Sequence, residues 1–552
     1  MSELNYINSK KNIILYLVLI LTLGLILRFY YLPYDVPIVT DGFYSFVYAA
    51  KTVFEGNLPV GYGTTNTGWA NFLALFFSLS DTSDPFYLMQ IQRSLSVILS
   101  SLTIIPAFFI FRKFVNIRWA LFGCLLLIIE PRLLMSSLEG INYQLFFLLF
   151  VLAIALFLTK TNLTLFLSFG CIACATLVRY EGLLLLIPLS TMYFLKFKDR
   201  KSVVKFLGMI FIVIIILAPI SVLRIQATES FCYETSFGIR CGDDGFTHAI
   251  LAGPRFLSHT LNAVSGQEVS ETAIYLFNEN NGNNEKTDNY AVLFVNKIIV
   301  SFSALLKFIG LALIPYFVFF VLYNIILRIK NKKLGKLDWD KKMIIFTTGI
   351  MFLTALYAYM RGIEEIRYVL IIIPLVCILS ISWTNSISEK ISKNLGVIII
   401  LMVLVLISSI IFIEFEKRDS VHDRESLLIS QEIIGLTDRT NTFNQDGYVK
   451  TAVLIRDWPN LPETNEIGKI KHGFDKFPTG KYDNIKKFIL DFRESGLEYL
   501  VVDNDNKIFD DVREAPKKYS YLIKRFDSDD WNFKNHFMIY EIDYNLFDNG
   551  NK

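Results

Sequence analysis

The sequence predicts an α-helical polytopic membrane fold that closes with a small α/β domain, and three observations carry that prediction. First, 53% of the 552 residues are hydrophobic and 15% aromatic. With a mean hydropathy of +0.44, these residues gather in runs longer than a soluble core uses. Second, lysine and arginine concentrate in alternate loops between those runs. Third, residues 415–552 return to polarity with mixed helix and strand patterns. The net charge of +3 is too small to argue for a nucleic-acid partner.

The first span covers 12–31 (NIILYLVLILTLGLILRFYY), long enough to cross a bilayer as a helix. It is too long for a cleavable signal and lacks a small-residue cleavage site, so it is expected to stay as an anchor. Further spans are expected near 88–111, 117–135, 143–159, 162–178, 182–195, 203–223, 295–328, 342–360, 367–383 and 395–414, about eleven in all. The basic loops hold Lys10 and Lys11; Arg112, Lys113 and Arg118; Lys160; Lys196 to Lys205; Arg328 to Lys342; and Lys390 and Lys393. The intervening loops hold isolated arginines only. The N-terminus is therefore expected in the cytoplasm and the C-terminus outside, in a multi-pass protein of the cell membrane.

That topology puts 32–87, 224–294 and 415–552 on the outer face and divides the chain into a membrane domain, 1–414, and an outer α/β domain, 415–552. In the first outer segment, Asp41 opens an expected helix over 42–55, just beyond the first span. A carboxylate at a helix N-terminus is kept ionised by the macrodipole and is well placed to act as a base. Thr40 and Asp41 are equally good N-caps, so the cap reading stands beside it. The stretch Trp69 to Leu79 is aromatic and amphipathic, with an interfacial pattern. In the second outer segment, FCYETSFGIRCGDDG carries Cys232 and Cys241, close enough in sequence to link as a disulfide. Cys124, Cys171, Cys174 and Cys377 fall within spans, where cysteine behaves as a small hydrophobe. In the outer domain, DNIKKFILDFRESG reads as a helix ending at Gly496; LEYLVVD, HFMIYEID and AVLIRDW (452–458) read as strands. No P-loop, dinucleotide fingerprint or nucleophile elbow is found there.

The short outer loops gather ionisable groups at one membrane depth: Glu130 and Arg132, Glu139, Arg179 with Glu181, and Arg361 to Tyr368. Such groups are costly near lipid unless they pair or work. Arg179 with Glu181, and Arg367 with Glu364 or Glu365, read either as ion pairs that fix helix ends or as a phosphate-binding set, for which the planar arginine fork is suited.

In VTDGFYSFVYAAKTVFEGNLP, EPRLLMSSLEGINYQLFF, LVRYEGLLLLIPL and IRYVLIIIPL, and in their order, the chain resembles the GT-C superfamily of polytopic glycosyltransferases. The likeness is to the family 39 type, which includes protein O-mannosyltransferases, the lipid A aminoarabinose transferase and archaeal relatives. It covers roughly 10–385 and the general layout of the outer domain. Each motif is short; order and topology carry the case. The resemblance implies a polyprenyl-phosphate sugar as donor, approached from outside, with a protein, glycan or lipid acceptor and no nucleic acid. It implies Asp41 as base, Glu130 as the second-loop acid with Glu139 as the alternative, and Arg367 as the residue that binds lipid phosphate. The chain departs from the pattern in having Asp41-Gly42 where relatives often carry a paired acid, and Gln144 where they often carry an acid. It lacks the WWDYG signature of oligosaccharyltransferases, which speaks against en bloc transfer to asparagine.

The expected mechanism is a single inverting displacement. Arg367 and Arg179 hold the donor phosphate, Asp41 takes the acceptor proton, and Tyr44, Tyr48 and Tyr143 stack on the sugar. Glu181, Arg361 and Tyr368 complete the expected substrate-binding set. A divalent cation is compatible with this site but not required, since Asp41 and Glu130 alone define no metal site. Two rivals are a lipid-sugar flippase or transporter, which would show internal repeats or broken mid-membrane helices, and a non-catalytic receptor or assembly protein. The loop acids and arginines favour the enzyme over both.

Overall fold

A computed structural model describes residues 10–34, 36–38, 41–56, 66–80, 82–229, 233–235, 238–240, 298–307, 338–360, 368–383, 395–416, scattered positions in 421–432, and 482, 484–502, 507–534 and 536–549. The chain forms two compact units. One comprises Met1–Leu32, Gly61–Leu75 and Gln92–Lys417; the other comprises Pro33–Val60, Phe76–Ile91 and Arg418–Lys552.

The first unit is helical. Helix α1 (Lys10–Tyr30) opens with Lys10, Lys11 and Asn12 and carries no further charge until Arg28 in its last turn. α2 (Asp41–Glu55), in the second unit, starts at the acid itself. α3 (Gly68–Phe77) follows. α4 (Pro85–Leu102) starts at a proline, with the Asp84 carboxylate accepting from Phe86 N at 3.0 Å. α5 (Ile104–Phe114) and α6 (Ile117–Ile128) are separated by Asn116, whose side chain caps α6 through Trp119 N. α7 (Pro131–Leu138) is a short helix after a break, and α8 (Tyr143–Thr159) ends at Lys160 in the left-handed region. α9 (Asn162–Val178) carries a Thr161/Thr164 capping box. After a 3-10 turn (Tyr180–Leu185) come α10 (Leu186–Lys196) and α11 (Arg200–Glu229). A short hairpin pairs β1 (Tyr233–Thr235) with β2 (Gly238–Arg240). α12 (Ile298–Lys307), α13 (Trp339–Met360), α14 (Ile373–Trp383) and α15 (Leu395–Glu416) complete the apolar helices described. α9 packs on α8 and α11, α5 on α6 and α8, and α13 on α10 and α14.

Among the described residues three helical stretches are long and apolar enough to cross a membrane: Lys11–Tyr30, Pro85–Phe114 and Arg200–Ile220. α6 and α7, bent by 47° at their junction, would together make a fourth. The expected span 117–135 is thus a broken one, because Pro131 cannot donate to the helix preceding it. α8 and α9 occupy the expected spans 143–159 and 162–178 with 17 residues each. At 1.5 Å per residue that is about 25 Å, short of a hydrocarbon core of about 30 Å.

The described C-terminal elements form a layer of helices on a three-stranded antiparallel sheet: α16 (Ile485–Arg493), β3 (Tyr499–Val502), α17 (Asp510–Glu514), β4 (Leu522–Asp527), β5 (Met538–Ile542) and α18 (Tyr544–Asn549), with strand order β3-β5-β4. The register pairs Leu500 with Tyr540 and Leu522 with Ile542. Ile485, Phe488 and Ile489 of α16 enter a core with Leu500, Val502, Tyr540 and Phe547. The helix stops at Gly496, whose φ of 89° suits glycine. The strands read from LEYLVVD and HFMIYEID are β3 and β5. The one read at 452–458 lies outside the described residues, and β4 was not read from the sequence.

Candidate functional site

The turn between α7 and α8 is the best-built polar feature of the first unit. It reverses at Gly140, whose φ of 69° only glycine adopts freely. The Gly140 carbonyl accepts from Gln92 Nε2 at 2.7 Å and from Trp69 Nε1 at 3.1 Å. Trp69 is fully buried, so the residue expected at an interface is instead a tie between α3 and this turn. Across the turn Gln144 Nε2 donates to Ser136 Oγ at 2.9 Å, stapling the start of α8 to α7.

A cationic group is docked against the turn. Arg179 leaves α9 in an extended conformation. Its Nη2 reaches Glu181 Oε1 at 2.6 Å, its Nη1 reaches Asn142 Oδ1 at 3.2 Å, and its guanidinium lies 4.0 Å from the centre of the Tyr143 ring. Burial works against the charge, and the Glu181 carboxylate more than offsets it, holding the guanidinium above its ordinary value. Glu181 Oε2 is buried without a hydrogen-bond partner among the described residues. The motif Arg-Tyr-Glu-Gly needs its glycine for packing: a Cβ on Gly182 would lie 2.6 Å from the Thr176 backbone nitrogen of α9.

The two loop acids stand at opposite ends of α7. Glu130 is its N-cap, Oε2 accepting from Leu133 N at 2.6 Å, and is completely buried. Its neighbours in charge are Arg132 and Arg28; the latter, also buried, donates to the Ile128 carbonyl at 2.7 Å and to Ser100 Oγ at 3.2 Å. Glu139, at the C-terminal end, is exposed. Nine residues of helical rise put the two roughly 13 Å apart. Arg132 lies with its guanidinium 5.2 Å from the Phe412 ring.

Of the other sequence candidates, Asp41 is the first residue of α2 and Tyr44 lies in its first turn; Tyr48 is buried on the same helix. Tyr368 is half-buried ahead of α14. Arg361, Arg367, Cys232 and Cys241 lie outside the described residues. The structure thus brings together Tyr143, Arg179 and Glu181, with Glu139 on the same turn, and sets Glu130 apart from them. Sequence reasoning missed Arg28, Trp69, Gln92 and Asn142 as supports. A charge inside the first apolar span was the available signal for Arg28. Among the C-terminal elements, Asp527, Asp529 and His536 offer ligand atoms within 4.8 Å of one another, but Lys524 Nζ already neutralises Asp527 at 2.6 Å.

No protein-family model matches the chain and no curated protein matches its sequence. Solved structures do match its shape. The oligosaccharyltransferase of Archaeoglobus fulgidus, tethered by a disulfide to an acceptor peptide containing the NVT sequon, aligns with a TM-score of 0.52 and 13% identity over 93% of this chain and 71% of that one. The same enzyme in complex with Zn and sulfate aligns at 0.50 and 12%, over 92% and 71%. At such identity the likeness is one of fold, and it extends over nearly the whole chain.

Proposed function

We propose that this chain is a membrane glycosyltransferase that moves a sugar from a polyprenyl-phosphate donor to an acceptor on the outer face. The observation that carries the reading is the fold shared with an archaeal oligosaccharyltransferase over 93% of the chain. The partly buried arginine at the α7–α8 turn supports it. The acceptor hydroxyl attacks the anomeric carbon and its proton passes to Asp41. The bond from that carbon to the phosphate oxygen breaks, and the polyprenyl phosphate leaves with inversion at the sugar. Arg367 binds the leaving phosphate and offsets its growing charge. Arg179, already engaged with Glu181 and Asn142, fixes the turn that carries Glu139 and Tyr143. Of the two loop acids, the exposed Glu139 is better placed to meet substrate than Glu130, which is committed to capping α7 inside the core.

Without the WWDYG signature, the reading favours transfer of a sugar over en bloc transfer to asparagine. Purified protein incubated with labelled polyprenyl-phosphate sugars and candidate protein, glycan or lipid acceptors should yield labelled acceptor; no transfer from any such donor would remove the proposal. The break between α6 and α7, with buried Glu130 and Arg28 beside it, is a feature transporters share. It favours a flippase as the second reading. Donor movement across vesicle membranes without acceptor labelling would select that reading.

A further inference from the structure

A second cationic cluster lies at the end of the helical bundle that the basic-loop pattern assigns to the cytoplasm. Lys160 in the α8–α9 turn and Lys196 at the end of α10 converge on Trp339, the first residue of α13, and Lys113 in the last turn of α5 adds to the positive charge felt by Lys196. The Lys160 and Lys196 ammonium groups lie 4.6 and 4.7 Å from the centre of the indole ring, and Phe157 stacks on the indole at 5.9 Å. Lys113 Nζ is engaged by the Leu158 carbonyl, and Lys160 is paired with Asp340 at 2.6 Å. Lys196 has no ion pair of its own among the described residues. Burial, and then the adjacent Lys160, pull its ammonium below its ordinary value, and the attraction of Asp340, which is already paired with Lys160, does not make up for them. Trp339 Nε1 is buried without a hydrogen-bond partner among the described residues. An ammonium short of counter-charge and an idle N–H donor thus share one aromatic platform.

We propose that this platform binds the phosphate headgroup of an anionic membrane lipid, through Lys196 and the Trp339 Nε1–H. A phosphate oxygen can accept from both donors and supplies the missing negative charge. The surroundings select a lipid over a free ion: Phe194 and Leu195, immediately before Lys196, and Val203 and Val204 at the start of α11 are exposed apolar residues on which acyl chains can lie. Tryptophan and lysine together at a helix end are also the residue types that anchor at a headgroup layer.

The test is native mass spectrometry of the full chain released from micelles of phosphatidylcholine with and without phosphatidylglycerol. The wild type should retain phosphatidylglycerol in preference to phosphatidylcholine. K196Q keeps the stem over the indole but removes the charge, and should weaken phosphatidylglycerol binding about tenfold. W339F keeps the aromatic face and removes the N–H; it should weaken binding by less, and it carries the test if K196Q does not fold. Phosphatidylglycerol retention unchanged in both variants would overturn the proposal. So would inorganic phosphate protecting the protein against heat as well as phosphatidylglycerol does at equal concentration.

Discussion

Asp41 is where a single atom separates two readings. Asn is also a good N-cap, so Asp41→Asn preserves the start of α2 while removing the proposed base. The protein should fold and bind donor, and transfer should fall by roughly two to four orders of magnitude. Undiminished transfer by the Asn variant would return Asp41 to a capping role. Arg367→Lys should behave differently, losing donor affinity along with turnover, because the charge stays but the planar fork goes. The loop acids give a second contrast. Glu130→Gln keeps an acceptor for Leu133 N yet leaves Arg28 buried without its opposing charge. It should lower thermal stability by about 3 kcal/mol or more and spare the turnover of the molecules that fold. Glu139→Gln should leave the melting temperature alone and reduce turnover; the opposite pattern in paired melting and activity measurements would restore Glu130 as the reacting acid. At this scale the sequence revealed which residues bear charge near the membrane, since each stands out against apolar neighbours. It did not reveal which of two acids nine positions apart is buried, because that depends on Pro131 breaking the span and on Arg28, a hundred residues earlier, turning inward.

Elements were legible where periodicity was strong and local. The helix of DNIKKFILDFRESG is bounded by its cap Asn484, which accepts from Lys486 N at 2.8 Å, and by Gly496. β3 and β5 are nearly continuous apolar runs. β4 (LIKRFD) was missed because its middle residues face solvent and its apolar content is low. The proposed disulfide rests on the sequence: Cys232 and Cys241 lie outside the described residues, nine positions apart in the chain. Non-reduced peptide mapping should show the two linked, and the cross-link should contribute about 2–3 kcal/mol; finding two free thiols would end the idea. The C-terminal sheet makes a pH prediction at Asp527. Burial there opposes ionisation, but hydrogen bonds from Lys524 and His536 outweigh it and hold the carboxyl at about 2, below its unfolded value of about 3.9. A carboxyl with a depressed pKa in the folded state contributes stability above the unfolded value and loses it as pH falls toward the folded one. Protection of β4 and β5 amides against hydrogen exchange should therefore weaken between about pH 4 and pH 2, and Asp527→Asn should flatten that dependence.

For the whole molecule, fold and orientation rest on different kinds of signal. The fold was legible in the order of four degenerate motifs between apolar spans, and the shared architecture of an archaeal oligosaccharyltransferase agrees with it. Orientation is written only in the distribution of lysine and arginine, a property of membrane insertion rather than of packing. The two proposed sites make orientation decisive. The α7–α8 turn lies at the N-terminal end of α8 and the Trp339 platform at its C-terminal end, since Tyr143 opens that helix and Lys160 caps it. If α8 crosses the membrane, one site must face each side, and donor chemistry and inner-leaflet lipid binding both require the turn outside. Cysteines introduced singly at 330–340 and at 480–490 of a cysteine-light variant should answer the question in intact cells. An impermeant maleimide should label the second set and spare the first until the membrane is permeabilised. Labelling of 330–340 in sealed cells would invert the chain, move the proposed transfer site to the cytoplasm, and place the Trp339 platform against the outer leaflet, contrary to both proposals.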